Sequence, residues 1–225
     1  MRKFVGIVAL HGLLLCSTLV SAASQEAAEK ISLGKKLLEQ GKVEAAISEF
    51  QKATTFDPKY GAAQLNLGYA YERANLSDEA IDSYRKSIEL EPRNFYARNN
   101  LGVLYSKKGM YDQAIAEFQD ALKNQPGNAM ALKNLETAKK NKAALQEREA
   151  VIARAEKEVE AKPSDPTPAY QLARVYATYG KKEEAIEWLG KAIGQGYKDI
   201  AYLKTDPAFA NIREERDFQL LLLQR

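Results

Sequence analysis

Between residues 27 and 128, apolar and small residues recur at helical spacing in two stripes, and the whole pattern repeats every 34 residues. Blocks 27–60, 61–94 and 95–128 align without gaps. Counting places from the start of each block, the first stripe occupies places 4, 7, 8 and 11. The second occupies places 20, 24 and 27. Places 7 and 8 hold Leu33–Gly34, Leu67–Gly68 and Leu101–Gly102, and place 11 holds Leu37, Tyr71 and Tyr105. The second stripe holds Ala46, Ala80 and Ala114, then Phe50, Tyr84 and Phe118, then Ala53, Ser87 and Ala121. Large residues of one stripe face small residues of the other, which predicts two antiparallel helices in close contact. Gly41, Asn75 and Gly109 fall between the two helices, where a left-handed residue ends the first. Asn94 and Asn128 stand before the next helices as N-caps.

A 34-residue helix–turn–helix unit with these residues resembles the tetratricopeptide repeat. The departures are Lys30, Gln64 and Arg98 at place 4, where a large residue is usual, Leu37 in place of Tyr, and Ser87 in place of Ala. After residue 128 the pattern loosens. Residues 129–165 read as a degenerate unit, either one long charged helix or two helices with a bend, ended by Pro163–Ser164–Asp165–Pro166. A fourth clear unit spans 166–199, with Leu172, Tyr176, Gly180, Ala185, Leu189 and Ala192. The tail, 200–225, carries Leu203, Asp206–Pro207, Phe209, Ile212, Arg213, Phe218 and Leu220–Leu223. It resembles the closing segment after such arrays in many bacterial proteins. It is expected to cap the last repeat's apolar face. The resemblance implies an all-α solenoid, a right-handed superhelix of antiparallel helix pairs whose first helices line a concave groove.

The start of the chain is of another kind. Met1–Arg2–Lys3 precedes the apolar run 4–15 and the small residues Ser21–Ala22–Ala23, the pattern of a secretory signal peptide over 1–22. Cleavage is expected after Ala22 or Ala23, leaving three repeats within 23–128. Cys16 offers a lipid-anchored alternative, although Leu15 stands where lipoprotein signals place a small residue. The chain has one Cys and one His, and both precede the cut, so a mature chain would have neither. Disulfide scaffolds and Cys/His metal or catalytic pairs are thereby excluded. Lys and Arg number 33 against 30 Asp and Glu. Losing Arg2 and Lys3 reduces the net charge from +3 to +1, which argues against nucleic-acid binding. An exported chain, periplasmic or secreted, with no membrane span after cleavage follows.

No phosphate loop, metal pair or nucleophile motif is visible, and the chain is read as a non-catalytic protein without metal or cofactor. Function is expected on the stripe at places 2, 6, 9 and 13, opposite the packed stripe. Place 6 is Asn66, Asn100 and Asn134 in succession, followed by Gln171 in the 166–199 unit. An amide donates and accepts, which suits the backbone of an extended peptide. A similar asparagine series lines the groove of the repeats in O-linked N-acetylglucosamine transferases. Tyr69, Arg73, Tyr96, Asn99, Lys107 and Lys133 surround the series and complete the candidate peptide site. The carboxylate clamp of chaperone-binding members is not met. Its positions fall on Ile31, Lys35, Tyr96 and Asn100, and only Asn66 fits. The reading is an exported adaptor that binds a partner's peptide segment in an envelope complex. The alternatives are a stalk or oligomerisation module, and an accessory or chaperone subunit of an envelope assembly machine.

Overall fold

A computed structural model describes residues 22–223. The leader assigned to 1–22 lies outside the described residues apart from Ala22, as do Gln224 and Arg225. The described residues form helices without strands. In chain order these are α1 (22–39), α2 (Val43–Phe56), α3 (Gly61–Arg73), α4 (Ser77–Leu90), α5 (Phe95–Lys107), α6 (Tyr111–Asn124), α7 (Ala129–Ala161), α8 (Pro166–Thr178) and α9 (Lys182–Gly194). Short α10 (Ile200–Leu203), a 3-10 turn (Pro207–Phe209) and α11 (Arg216–Leu221) follow. The helices pack in consecutive pairs, as a solenoid of helical hairpins requires. The chain divides into two units, Met1–Asn141 and Lys142–Arg225.

In the first unit, each hairpin closes where one helix presents a glycine to an aromatic ring. A Cβ at Gly34 would lie 2.5 Å from Phe50 Cε1, at Gly68 2.7 Å from Tyr84 Cδ1, and at Gly102 2.6 Å from Phe118 Cε1. All three rings are fully buried. The turns are equally regular. Place 15 has positive φ at Gly41 (76°), Asn75 (61°) and Gly109 (74°), and Gly180 (72°) repeats this in the second unit. The Asn94 and Asn128 side chains accept from the N–H of Ala97 and Ala131, each at 3.1 Å.

Adjacent hairpins are joined by a bond that itself recurs. Gln51 Nε2 donates to the Tyr71 hydroxyl at 2.9 Å, and Arg85 Nε donates to the Tyr105 hydroxyl at 3.0 Å. In the second unit the Tyr176 hydroxyl donates to Glu156 Oε1 at 2.7 Å. Each tyrosine holds place 11, and each partner lies twenty residues before it. Burial, with Glu156 beside it, pushes the Tyr176 phenol up to about 12, so it donates throughout the physiological range.

Residues 129–161 form one continuous helix of 33 residues. Ala143 stands at place 15, where the other hairpins have Gly or Asn, so nothing favours a left-handed turn. Glu136 and Lys139 stand at places 8 and 11, where Gly and Tyr would draw a returning helix close. The two ends of α7 do ordinary work. Ala131, Leu135 and Ala138 pack on the third hairpin, while Ile152, Ala155 and Val159 pack within the second unit. Between them, none of residues 139–151 is buried.

Two positions depart from the pattern read in the sequence. Leu33 is 44% exposed, whereas its counterparts Leu67 and Leu101 are buried. Place 7 packs on the second helix of the preceding repeat, and no such helix precedes Leu33 among the described residues. Place 4 is polar for a reason. Arg98 Nη1 lies 3.0 Å from Glu117 and 3.2 Å from Asp120, and Lys30 approaches Glu49 at 3.8 Å, so an ion pair replaces the apolar contact. Burial pushes the Glu117 carboxyl up, against the pull of the Arg98 guanidinium.

In the second unit Leu203, Phe209, Ile212 and Phe218 are fully buried with Leu172, Tyr176 and Leu189 of α8 and α9. Leu220 and Leu223 of the expected apolar tail are exposed. Asp206, also fully buried, ties the tail to α8. It accepts from the Tyr170 hydroxyl, forms an ion pair with Arg174, whose Nε lies 3.0 Å away, and caps the 3-10 turn by accepting from Ala208 N at 3.0 Å. Tyr170 in turn stacks on Tyr197 with centroids 4.4 Å apart. Trp188, read as a packing residue, lies against this core and carries Lys191 Nζ 4.0 Å above its ring.

Candidate functional site

Helices α3 and α5 bury places 7 and 8 and present places 2, 6, 9 and 13 on one stripe. That stripe carries exposed large side chains. Tyr96 is 60% exposed, Met130 49% and Tyr69 43%. Arg73, Lys107 and Lys133 are exposed as well. The Phe95 ring meets the Tyr96 ring edge-on, with centroids 5.4 Å apart.

The three asparagines are half-buried, and each already uses an amide N–H within the protein. Asn66 donates to Ala62 O of its own helix at 2.6 Å. Asn100 donates to the Tyr84 hydroxyl at 3.4 Å, and Asn134 donates to Asn99 Oδ1 at 3.1 Å. The Tyr84 hydroxyl passes its own proton toward Glu72 Oε2 at 3.3 Å, and Lys107 Nζ donates to Glu72 Oε1 at 2.7 Å. Asn100, Tyr84, Glu72 and Lys107 thus form one chain across α3, α4 and α5. Burial, reinforced by the Glu72 carboxylate, pushes the Tyr84 phenol well up and keeps it a donor.

Asn99 does not belong to the exposed site. It is 2% exposed and serves as the acceptor for Asn134 in the next helix, so it is an inter-repeat contact. Its neighbour at place 6 hid this, because both residues read alike in the sequence. Met130 was the apolar side chain that the sequence-based site lacked. Its place-2 register with Tyr96 is the signal that finds it. Gln171, expected to continue the amide series, is exposed on α8 of the second unit and accepts from Arg174 Nη1 at 3.0 Å. Among the described residues no group of His, Cys, Asp and Glu could hold a metal ion.

Family models for the tetratricopeptide repeat match residues 34–75, 62–94 with 168–195, and 83–116. No curated protein sequence matches the chain. Among solved structures, the first such domain of human RPAP3 is 21% identical, covering 55% of this chain and 98% of that one, with a TM-score of 0.53. The first such domain of Spaghetti (RPAP3), bound to the HSP90 peptide SRMEEVD, is 23% identical over 53% of this chain and 95% of that one, TM-score 0.52. A double mutant of MamA (RS-1 ArsTM) covers more, 76% of this chain and 94% of that one, at 18% identity and a TM-score of 0.50. At these identities the likeness establishes the fold.

Proposed function

We propose that this chain, a carrier of tetratricopeptide repeats, is a non-catalytic interaction adaptor that holds a segment of a partner protein on the exposed stripe of its first unit. The observation that carries the reading is the exposure of Tyr69, Tyr96 and Met130 on one stripe, beside amides and cations. Aromatic and basic side chains dominate binding hot spots. A similar fold binds an HSP90 peptide in Spaghetti (RPAP3). The present chain has buried Ile31, together with Lys35, Tyr96 and Asn100, at the clamp positions read from the sequence, so it is suited to a different segment.

The partner is placed in the cell envelope, because the start of the chain reads as an export signal. Cleavage after Ala22 or Ala23 would keep Ser24, which donates to Asp57 at 2.6 Å, and buried Ala27 in the mature chain. The described helices include none long and apolar enough to cross a membrane. The stalk or oligomerisation alternative draws on 139–151 of α7, where no residue is buried.

The test is partner capture from envelope extracts with wild type and with Tyr69→Ala/Tyr96→Ala. Circular dichroism verifies that the variant is folded. Loss of a partner from the folded variant supports the stripe. Equal yield from both proteins defeats it and shifts attention to α7. An intact mass beginning at Met1 would overturn cleavage of the leader and leave the alternative of an uncleaved N-terminus that anchors the chain to the membrane.

A further inference from the structure

Resting on the stripe as the binding site, we infer that the buried hydroxyl of Tyr84 is a positioning group for it, fixing which way the Asn100 amide meets a ligand. Tyr84 holds place 24, and its counterparts there are Phe50 and Phe118. All three rings are fully buried, and each meets the glycine of its own hairpin in the same way. The fold therefore asks for a ring at place 24 and not for a hydroxyl. Burying a hydroxyl is costly unless it finds partners. Tyr84 finds them in Glu72 Oε2 at 3.3 Å and Asn100 Nδ2 at 3.4 Å.

The number of protons sets the direction of both bonds. The Glu72 carboxylate, paired with Lys107, only accepts. Burial holds the phenol protonated, and its single proton goes to Glu72, so the hydroxyl has only lone pairs to offer Asn100. Asn100 must then turn an N–H inward, which leaves its carbonyl oxygen and second N–H for a ligand. The neighbouring junctions behave differently. Each place-6 asparagine follows a place-24 ring by 16 residues. Where that ring is Phe, the asparagine turns elsewhere. Asn66 donates to Ala62 O of its own helix, and Asn134 donates to Asn99 Oδ1. The end torsion of an asparagine is broad and roughly two-fold, and at Asn100 it is Tyr84 that selects between the two settings.

The test is Tyr84→Phe in the full mature chain, which installs the side chain that place 24 carries in both flanking hairpins. Chemical denaturation verifies the fold. Side-chain amide NMR of the ligand-free protein reads Asn66, Asn100 and Asn134. The order parameter of the Asn100 amide is expected to fall while those of Asn66 and Asn134 hold. Calorimetric titration then uses the partner recovered in the capture experiment and purified. Its affinity is expected to drop about threefold to tenfold, the range for one hydrogen bond. The drop should vanish in an Asn100→Ala background and persist in an Asn66→Ala background. An unchanged Asn100 amide overturns the proposal. So does unchanged affinity when Tyr69→Ala/Tyr96→Ala abolishes binding. A full drop in the Asn100→Ala background also overturns it, because the hydroxyl would then act through the fold alone. Equal binding by Tyr69→Ala/Tyr96→Ala defeats the stripe reading itself, while the Asn100 amide signal decides separately whether Tyr84 orients it.

Discussion

At Gly68 a single added carbon would sit 2.7 Å from a ring carbon of Tyr84, and that ring is fully buried in a core where side chains are close-packed. Gly68→Val should therefore cost about 1–3 kcal/mol, read as a lower midpoint in chemical denaturation. Asn75 tests backbone geometry alone, since it holds φ 61° on an exposed turn. Asn75→Ala should cost about 1–2 kcal/mol. Asn75→Gly should stay within about 0.5 kcal/mol of wild type by the same measurement. These residues were legible in the sequence because their constraint is local or lies within one hairpin. Asn99 and Leu33 were not, because what decides their burial belongs to the neighbouring repeat. Asn134 reaches Asn99 from 35 residues away, and Leu33 wants a preceding helix. Arg98 looked like a departure at place 4, since a polar residue there reveals its acidic partners only once α5 and α6 are side by side.

Helices inherit these residue-scale rules. Four hairpins turn at a place-15 residue with positive φ, and α7, with Ala143 there, does not turn. The sequence showed the missing turn signal but left one helix and two equally open, because absence of a glycine weakens a turn without forbidding it. The charged pair Glu136 and Lys139 completes the explanation. A hairpin closed at this point would bury both, and burial of charge is costly. The middle of α7 should accordingly be its least protected part. Amide hydrogen exchange should run faster at 139–151 than at 131–138 or 152–159, by orders of magnitude where the flanks sit on buried cores. Uniform protection along α7 would contradict that expectation.

For the whole molecule, stability of a repeat array is a sum over units and their junctions, and its ends need covering. In the second unit that covering comes from Phe209, Ile212 and Phe218 on α8 and α9, latched by Asp206. Deleting Phe209–Arg225 should expose Leu172 and Leu189. The expected result is increased binding of an apolar dye and a shift to aggregates in size-exclusion chromatography, with the first unit's helices still present by circular dichroism. A monodisperse truncated protein would show that the tail is dispensable.

The hydrogen bond from place 25 of one repeat to the tyrosine at place 11 of the next has a genetic corollary. Gln51 with Tyr71 and Arg85 with Tyr105 obey one rule of distance, so each junction is interchangeable with the other. A duplication of codons 61–94 would place Arg85 of one copy opposite Tyr71 of the next, with Asn94 ready to cap the helix that follows. The gene can lengthen or shorten by this increment without inventing a new joint, which makes the number of repeats an evolvable quantity.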